Sequence, residues 1–164
     1  MKTLLLTLAL SAVCGSIWAL PAPTPAPYRA FCKTMWLFDA NCSDISIVLV
    51  KQIQSFAPEI GCEMCHYTLV SVTPQYIMAN HTSPDGLYTE MISIAFFPTM
   101  VPGGCRASAV SQSVLFSASL LDNGVNYCNL HNLVTASGLS SQPDFLEMTN
   151  EWACLSVGLA TCGM

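Results

Sequence analysis

The chain has 164 residues, a net charge of −5 and 9% charged residues, so it is acidic and sparsely charged. No two Lys or Arg residues lie within three positions of each other, which excludes a basic patch for the phosphates of nucleic acid or of an anionic membrane surface. Beyond the first residues, no apolar run reaches the roughly 18 residues of a bilayer-crossing helix, so no membrane span is expected.

The first 19 residues have the layout of a secretory signal peptide. Lys2 gives a positive start, residues 4–13 form a short apolar run, and small residues around Ser16 and Ala19 offer a cleavage site. We therefore expect a secreted, extracellular protein whose mature chain starts near residue 20.

The mature chain divides into two parts. Residues 20–28 alternate proline with small residues, a composition typical of an extended tail without partners. Residues 29–164 are expected to form a single domain, since this length is enough for a hydrophobic core.

The cysteines predict a disulfide framework. The chain has nine, and Cys14 lies in the signal, which leaves an even number for an oxidising compartment. Their pairing is not encoded in the spacing. The eight expected in disulfides are Cys32, Cys42, Cys62, Cys65, Cys105, Cys128, Cys154 and Cys162.

Residues 43–57 give the first helix signal in chain order. Ser43 or Asp44 can cap the first turn, apolar residues from Ile45 to Phe56 recur at helical spacing, and Pro58 ends the pattern.

Strand-like alternation and turns follow. Glycine and proline place turns at 83–86 and 102–104, and Asp122-Asn123-Gly124 is a strong hairpin signal. The strands expected around these turns are 66–72 with an extension over 76–78, then 87–97, 111–121 and a return from 125 to 128.

The C-terminal region is predicted to be partly helical. Residues 129–138 could form a short helix ending at Gly138. A second helix is expected to start between Ser141 and Glu147, with Phe145, Met148 and Trp152 facing inward.

Together these elements predict an α+β fold, in which a helix packs on an antiparallel β-meander of about four strands and disulfides reinforce the packing. One helix followed by a curled sheet resembles the cystatin-like element order. The resemblance implies a similar layout, and it would place any protease-blocking segments at hairpin tips.

Two sequons predict N-linked glycans: Asn80-His81-Thr82 and Asn41-Cys42-Ser43. Glycans on Asn80 and Asn41 would add solubility to a surface with few charged side chains.

One motif points to a cofactor as an alternative. Residues 62–66 match C-x-x-C-H, the haem-attachment pattern, with Met78, Met91, Met100 or Met148 as the distal ligand. The same two thiols could instead form a redox pair, but Glu63 between them raises a thiol pKa rather than lowering it. Structural disulfides explain the pair better, and we expect no cofactor.

Zinc and hydrolytic sites have weaker signals. Zinc would need Cys128 with His131 in addition to the C-x-x-C-H residues, and an oxidising compartment pairs those thiols first. No G-x-S-x-G or H-E-x-x-H motif is present, and His66, His81 and His131 are expected at the surface. We therefore expect no catalytic residues and no metal.

A cystatin-like protease inhibitor is a further alternative. Inhibitory cystatins use a Gln-x-Val-x-Gly tip, and residues 112–116 replace the final glycine with Phe116. These residues also lie in a predicted strand. Inhibitory cystatins use a second, Pro-Trp tip, and neither Trp36 nor Trp152 follows a proline. The wedge that fills a protease cleft is therefore missing.

The leading expectation is a secreted, non-catalytic glycoprotein that acts by extracellular binding or as a structural matrix component. Its partner would be an extracellular protein or an apolar small ligand. The residues expected to enclose an apolar ligand within the curled sheet are Met91, Phe96, Phe97, Met100, Leu115 and Phe116.

Overall fold

The computed structural model describes residues 28–57, 66–100, 102–115 and 121–163. The expected signal peptide and most of the proline-rich tail lie outside these ranges. In chain order the elements are β1 (Phe31–Phe38), α1 (Cys42–Ser55), β2 (Tyr67–Thr73), β3 (Tyr76–Thr82), β4 (Thr89–Pro98), β5 (Cys105–Ser113), α2 (Val125–Ala136) and β6 (Leu146–Met148). Two short 3₁₀ turns, Leu139–Ser141 and Val157–Leu159, complete them.

The strands form one antiparallel sheet in the order β2-β3-β4-β5-β1-β6. α1 packs on β2 to β5, α2 packs on β4, β5 and β1, and the helices contact each other, so both cover one face. The predicted α+β class with disulfides is confirmed. The prediction of about four strands in a cystatin-like order is wrong, because the described residues form six strands, β1 precedes α1, and α2 follows β5.

The core lies between this sheet face and the helices. Alternate residues of β1, β3, β4 and β5 are buried, as the period of two in a strand requires. Trp36, Ile77, Ile94 and Leu49 are completely buried. The central strands thus present one side to the helices along their whole length.

The helix predicted at 43–57 is confirmed as α1, and its buried face holds Ile45, Leu49 and Ile53. Its N-cap residue is Asn41 rather than Ser43 or Asp44, and no side chain caps the first turn. Cys42 opens the helix and is bonded to Cys105.

The predicted strands differ from the observed ones in four places. Residues 76–78 begin the separate strand β3, and β1 and β6 have no counterpart among the predicted strands. Outward residues of β1 such as Met35 and Leu37 are as apolar as the inward ones, which hides the alternation. Of the strand predicted at 111–121, residues 111–113 are the end of β5, residues 114 and 115 form a bend, and residues 116–120 lie outside the described ranges. The start of β5 was missed because its inward residues include Ala107 and Ala109, too small to give a strong apolar signal. The turns at 83–86 and 102–104 are confirmed.

The hairpin predicted at Asp122-Asn123-Gly124 is wrong, and the expected strand 125–128 is the first turn of α2. Asn123 and Gly124 do have positive φ, as the sequence suggested. Here that conformation turns the chain into a helix, because the Asp122 carboxylate accepts the backbone N–H groups of Gly124 and Asn126. A side chain at residue 124 would also overlap Ala160.

The helix expected to start between Ser141 and Glu147 is wrong as well. Residues 146–148 form β6 and pair with Met35, Trp36 and Leu37 of β1. Phe145 is partly buried, but Met148 is 41% exposed and Trp152 is 91% exposed. The predicted inward face therefore fails at two of its three positions.

Three disulfides connect distant parts of the described chain: Cys32–Cys154, Cys42–Cys105 and Cys128–Cys162. Two of them hold the C-terminal region, one on β1 and one on α2. Cys62 and Cys65 lie outside the described residues.

Candidate functional site

A cavity of about 600 Å³ opens between one end of the sheet and α2. The end of β3, the start of β4, the end of β5 and the residue before β1 form one wall, and α2 with the segment leading into it forms the other. Its lining includes polar and apolar side chains: His81, Ser83, Tyr88, Glu90, Leu115, Leu121, Asp122, Val125, Asn129 and Asn132.

The sheet wall carries a buried histidine–carboxylate pair. His81 of β3 and Glu90 of β4 are register partners, and His81 Nδ1 lies 2.9 Å from Glu90 Oε2. His81 is 7% exposed and Glu90 is 5% exposed, so neither is solvated as in water. The expectation that His81 lies at the surface is wrong, because strand alternation points residue 81 to the same side as Ile77 and Ala79.

Tyr67 of β2 contacts the His81 ring of this pair and also bonds to α2. Its ring centroid lies 4.9 Å from that of His81, and its hydroxyl donates a 2.9 Å hydrogen bond to the Asn129 carbonyl of α2. Burial, and secondarily the nearby Glu90, raises the pKa of Tyr67 well above its ordinary value. Tyr67 therefore stays a neutral hydrogen-bond donor and fixes the distance between β2 and α2.

Asparagines at i, i+3 and i+6 place Asn126, Asn129 and Asn132 on one buried face of α2, and the last two line the cavity. Two of them are tied to β5. Ser111 Oγ donates to Asn126 Oδ1 at 2.7 Å and accepts from Asn129 Nδ2 at 3.3 Å. These bonds hold the helix against the sheet through polar groups instead of apolar side chains.

Asp122 fixes the start of the same helix. Its carboxylate accepts N–H groups of Gly124 and Asn126 at 3.1 and 2.8 Å, and the Asn126 side chain donates to it at 2.6 Å. A negative charge at this place is stabilised by the helix dipole. The carboxylate is thus occupied by structural contacts even though Asp122 lines the cavity.

Asn132 differs from the other two asparagines. It is 4% exposed and lines the cavity, yet its side-chain amide makes no hydrogen bond to any other described residue. Its polar atoms are not fully buried, because Thr34 Oγ1 is the one fully buried side-chain polar atom without a hydrogen bond among the described residues, so the Asn132 amide still meets water in the cavity. Its free donor and acceptor are available to whatever occupies the cavity.

The mouth of the cavity is apolar. Tyr88, Leu115, Leu121 and Val125 line it and are between 41% and 58% exposed. Exposed aliphatic side chains around a concave surface are typical of a ligand-binding groove. The site thus combines an apolar mouth with a polar inner wall.

The charges of the site are few. The ionisable groups that line it are His81, Tyr88, Glu90 and Asp122, and no Lys or Arg among the described residues does so. An anionic ligand would find no cation there to balance its charge. Both carboxylates are already engaged, Glu90 with His81 and Asp122 with α2.

A histidine oriented by a carboxylate is also the arrangement of a general base. A nucleophile would have to lie within hydrogen-bond distance of the ring, and among the described residues no hydroxyl or thiol forms such a bond with His81. The nearby Ser83 hydroxyl instead donates to Asp85 and accepts from the backbone N–H of Tyr88.

The residues predicted to enclose an apolar ligand are mostly elsewhere. Leu115 lines the cavity, whereas Phe96 belongs to the core. Phe97, Met91 and Met100 are 43%, 37% and fully exposed, respectively. Phe116 lies outside the described residues. The sequence prediction found an apolar lining residue but missed the polar wall.

The two sequons lie away from the cavity's inner wall. Asn80 is partly exposed on the sheet face opposite to that of His81, and Asn41 is exposed just before α1. Both positions are open enough for a glycan, and their occupancy stays a prediction.

The zinc alternative loses one ligand, while the haem and redox alternatives stay untested by the described residues. Cys128 is bonded to Cys162 and so is not a thiolate ligand for zinc. Of the distal haem ligands considered, Met100 and Met148 lie on the surface. Cys62 and Cys65 themselves lie outside the described residues.

The inhibitor alternative rests on residues 112–116. Gln112 and Ser113 end β5, and Val114 and Leu115 follow it as a bend, so the segment is not wholly in a strand as expected. Trp36 is buried in the core, which removes it as a contact for a protease.

No protein-family model matches the chain, and no curated protein sequence matches it. Within the described ranges, neither helix is long and apolar enough to cross a bilayer.

Proposed function

We propose that this protein is a secreted, non-catalytic binding protein that holds a small, largely apolar ligand in the cavity between the sheet and α2. The observation that carries the proposal is a cavity of about 600 Å³ with an apolar mouth and a polar inner wall. Small-molecule sites in proteins have volumes of this order and the same mixture of apolar lining with a few placed polar groups.

The unpaired Asn132 amide supports a ligand rather than an empty cleft. Evolution of a stable core favours an apolar residue at a buried helix position, because an apolar residue has no hydrogen bond to lose. Asn132 is 4% exposed, lines the cavity and has no hydrogen-bond partner for its amide among the described residues, so a ligand can use both its donor and its acceptor.

Secretion is the second part of the proposal. Three disulfides join residues up to 122 positions apart, which is compatible with an oxidising compartment. The intact mass of the secreted protein should show a chain that starts near residue 20 and gains about eight hydrogens on reduction. A retained N-terminal segment, or free thiols before reduction, would contradict this part.

Binding can be tested with N-phenyl-1-naphthylamine, a neutral apolar probe whose fluorescence rises out of water. We expect saturable binding by the secreted full chain. Leu121→Arg places a charge at the mouth, where Leu121 is 55% exposed, and should weaken binding at least tenfold.

Val70→Arg is the matched control. Val70 is 53% exposed on β2 and does not line the cavity, so this variant should bind the probe like the unmodified protein. Absence of probe binding, or equal loss in both variants, would refute a ligand site in the cavity.

A further inference from the structure

The polar wall of the cavity restricts the chemistry of its ligand. We propose that the ligand is an uncharged apolar molecule whose polar end is a hydroxyl group, hydrogen-bonded by His81 and Asn132. This inference rests on the proposed binding function and names the class of ligand for the same site.

His81 supplies an acceptor. An ionised Glu90 carboxylate accepts hydrogen bonds and donates none, so the hydrogen of the 2.9 Å contact belongs to Nδ1 of His81. In the neutral ring Nε2 then carries a lone pair, and it forms no hydrogen bond with another described residue. A ligand that meets this nitrogen of the neutral ring has to bring a donor.

Asn132 supplies both a donor and an acceptor from the opposite wall. Asn132 is 4% exposed and lines the same cavity, and its amide has no hydrogen-bond partner among the described residues. A hydroxyl group donates one hydrogen bond and accepts others, so a single hydroxyl can satisfy His81 and Asn132 together. A carbonyl or an ether oxygen would leave Nε2 unpaired.

Charged ends fit less well. A carboxylate would lie near Glu90 and Asp122 with no Lys or Arg in the described lining, so it would lose its hydration without gaining a counter-charge. An ammonium group would need a free carboxylate, and both are engaged. The apolar body of the ligand would contact Leu115, Leu121 and Val125 toward the mouth.

Retinol, retinoic acid and retinylamine test this choice, since they share one apolar body and differ at the polar end. Titrations of the secreted protein at pH 8 should show retinol binding at least tenfold tighter than either charged analogue. Equal or tighter binding of retinoic acid or retinylamine would overturn the inference, and this comparison needs no variant.

Asn132→Leu replaces the amide by an apolar side chain with the same number and branching of heavy atoms. It should weaken retinol about tenfold, the worth of a hydrogen bond to a buried neutral group, while N-phenyl-1-naphthylamine binds within twofold of the unmodified protein. Gln54→Leu also replaces an amide by leucine, on the exposed face of α1, and should alter the affinity for neither probe. Unchanged retinol affinity in Asn132→Leu would refute the role of Asn132.

The two proposals fail in different ways. Binding of N-phenyl-1-naphthylamine without preference for retinol leaves the ligand site intact and overturns the hydroxyl inference. Absence of binding by every probe overturns the ligand site and, with it, the inference that depends on it.

Discussion

The two ends of the covered sheet face differ sharply in chemistry. At one end Ile77, Ile94 and Trp36 belong to the hydrophobic core beneath α1 and α2. At the other end the same strands present His81 and Glu90 to the asparagines of α2. The same strands run through both ends, and the two ends differ only in the types of residue at the inward positions.

This difference indicates what each end is for. Burial of apolar area stabilises a fold at about 25 cal/mol per Å², whereas buried polar groups at best recover the hydration they lose. The apolar end therefore supplies stability, and the polar end is retained for the ligand that we propose. Each prediction below changes one end and measures both stability and probe binding.

The largest effect is expected at the apolar end. Ile94 is completely buried and lies between its register partners Ile77 of β3 and Ala109 of β5. Ile94→Ala should lower the free energy of unfolding by about 2–5 kcal/mol, because it leaves a cavity in packed surroundings. Urea denaturation measures this, and Val72→Ala on exposed β2 should stay within about 0.5 kcal/mol. A loss below 1 kcal/mol in Ile94→Ala would show that this end is loosely packed.

The disulfides sharpen the comparison. Replacing Cys128 and Cys162 by Ser frees α2 from the C-terminal segment beside the cavity, since Cys128 and Thr161 both line it. We expect a loss of about 2–4 kcal/mol and weaker binding of N-phenyl-1-naphthylamine.

The bond between Cys42 and Cys105 provides the matched control at the apolar end. Replacing both cysteines by Ser should cost a similar amount of stability, and probe binding to the folded protein should be unchanged. Loss of binding in this control as well would show that the two ends are not independent.

The buried pair of His81 and Glu90 is expected to respond differently to single and double substitutions. Glu90→Leu leaves His81 buried without its partner and should cost about 1–3 kcal/mol. His81→Leu combined with Glu90→Leu removes both polar groups and should return stability to within about 1 kcal/mol of the unmodified protein.

The double variant should bind N-phenyl-1-naphthylamine and lose its preference for retinol over retinoic acid. Denaturation of all four members of this double-mutant cycle gives the coupling energy. Additive losses would mean zero coupling energy, so that His81 and Glu90 each stabilise the fold independently, contrary to the expectation that the polar end adds little stability.

Much of the fold could be predicted from local patterns, because α1 and the turns around Pro84 and Pro102 depend on residues close in sequence. Asn123-Gly124 misled the prediction, because positive φ serves a hairpin and a helix start equally well. Strand β6 has three residues and is defined by its partner β1, so no local pattern could identify it.

The candidate site could have been found in part. Glu90 has the same parity as Ile92 and Ile94 in a strand that was predicted, which places its carboxylate on the inward face. The spacing of Asn126, Asn129 and Asn132 is a helical stripe, but it has this meaning only once α2 is known to be a helix. The contact of His81 with Glu90 depends on strand register, which the sequence does not state.

The smallest expected effect is at Tyr67, which joins the two walls of the polar end. Tyr67→Phe removes the hydrogen bond to the Asn129 carbonyl and should cost about 1 kcal/mol near neutral pH. This cost should depend on pH, because burial raises the pKa of Tyr67 in the folded protein while the unfolded chain keeps the ordinary value of about 10. Above pH 10 the unfolded tyrosine loses its proton and the folded one keeps it, so the contribution is complete below pH 10 and is lost as pH rises.

The stability gap between the unmodified protein and Tyr67→Phe should therefore narrow between pH 9 and pH 11. Burial and the Glu147 carboxylate also raise the pKa of Tyr127, so both proteins lose stability in this range, and the difference between them isolates Tyr67. Urea denaturation at several pH values measures the gap. A constant gap would mean that the Tyr67 hydroxyl is solvated in the folded state, and the polar end would then be wetter than its burial indicates.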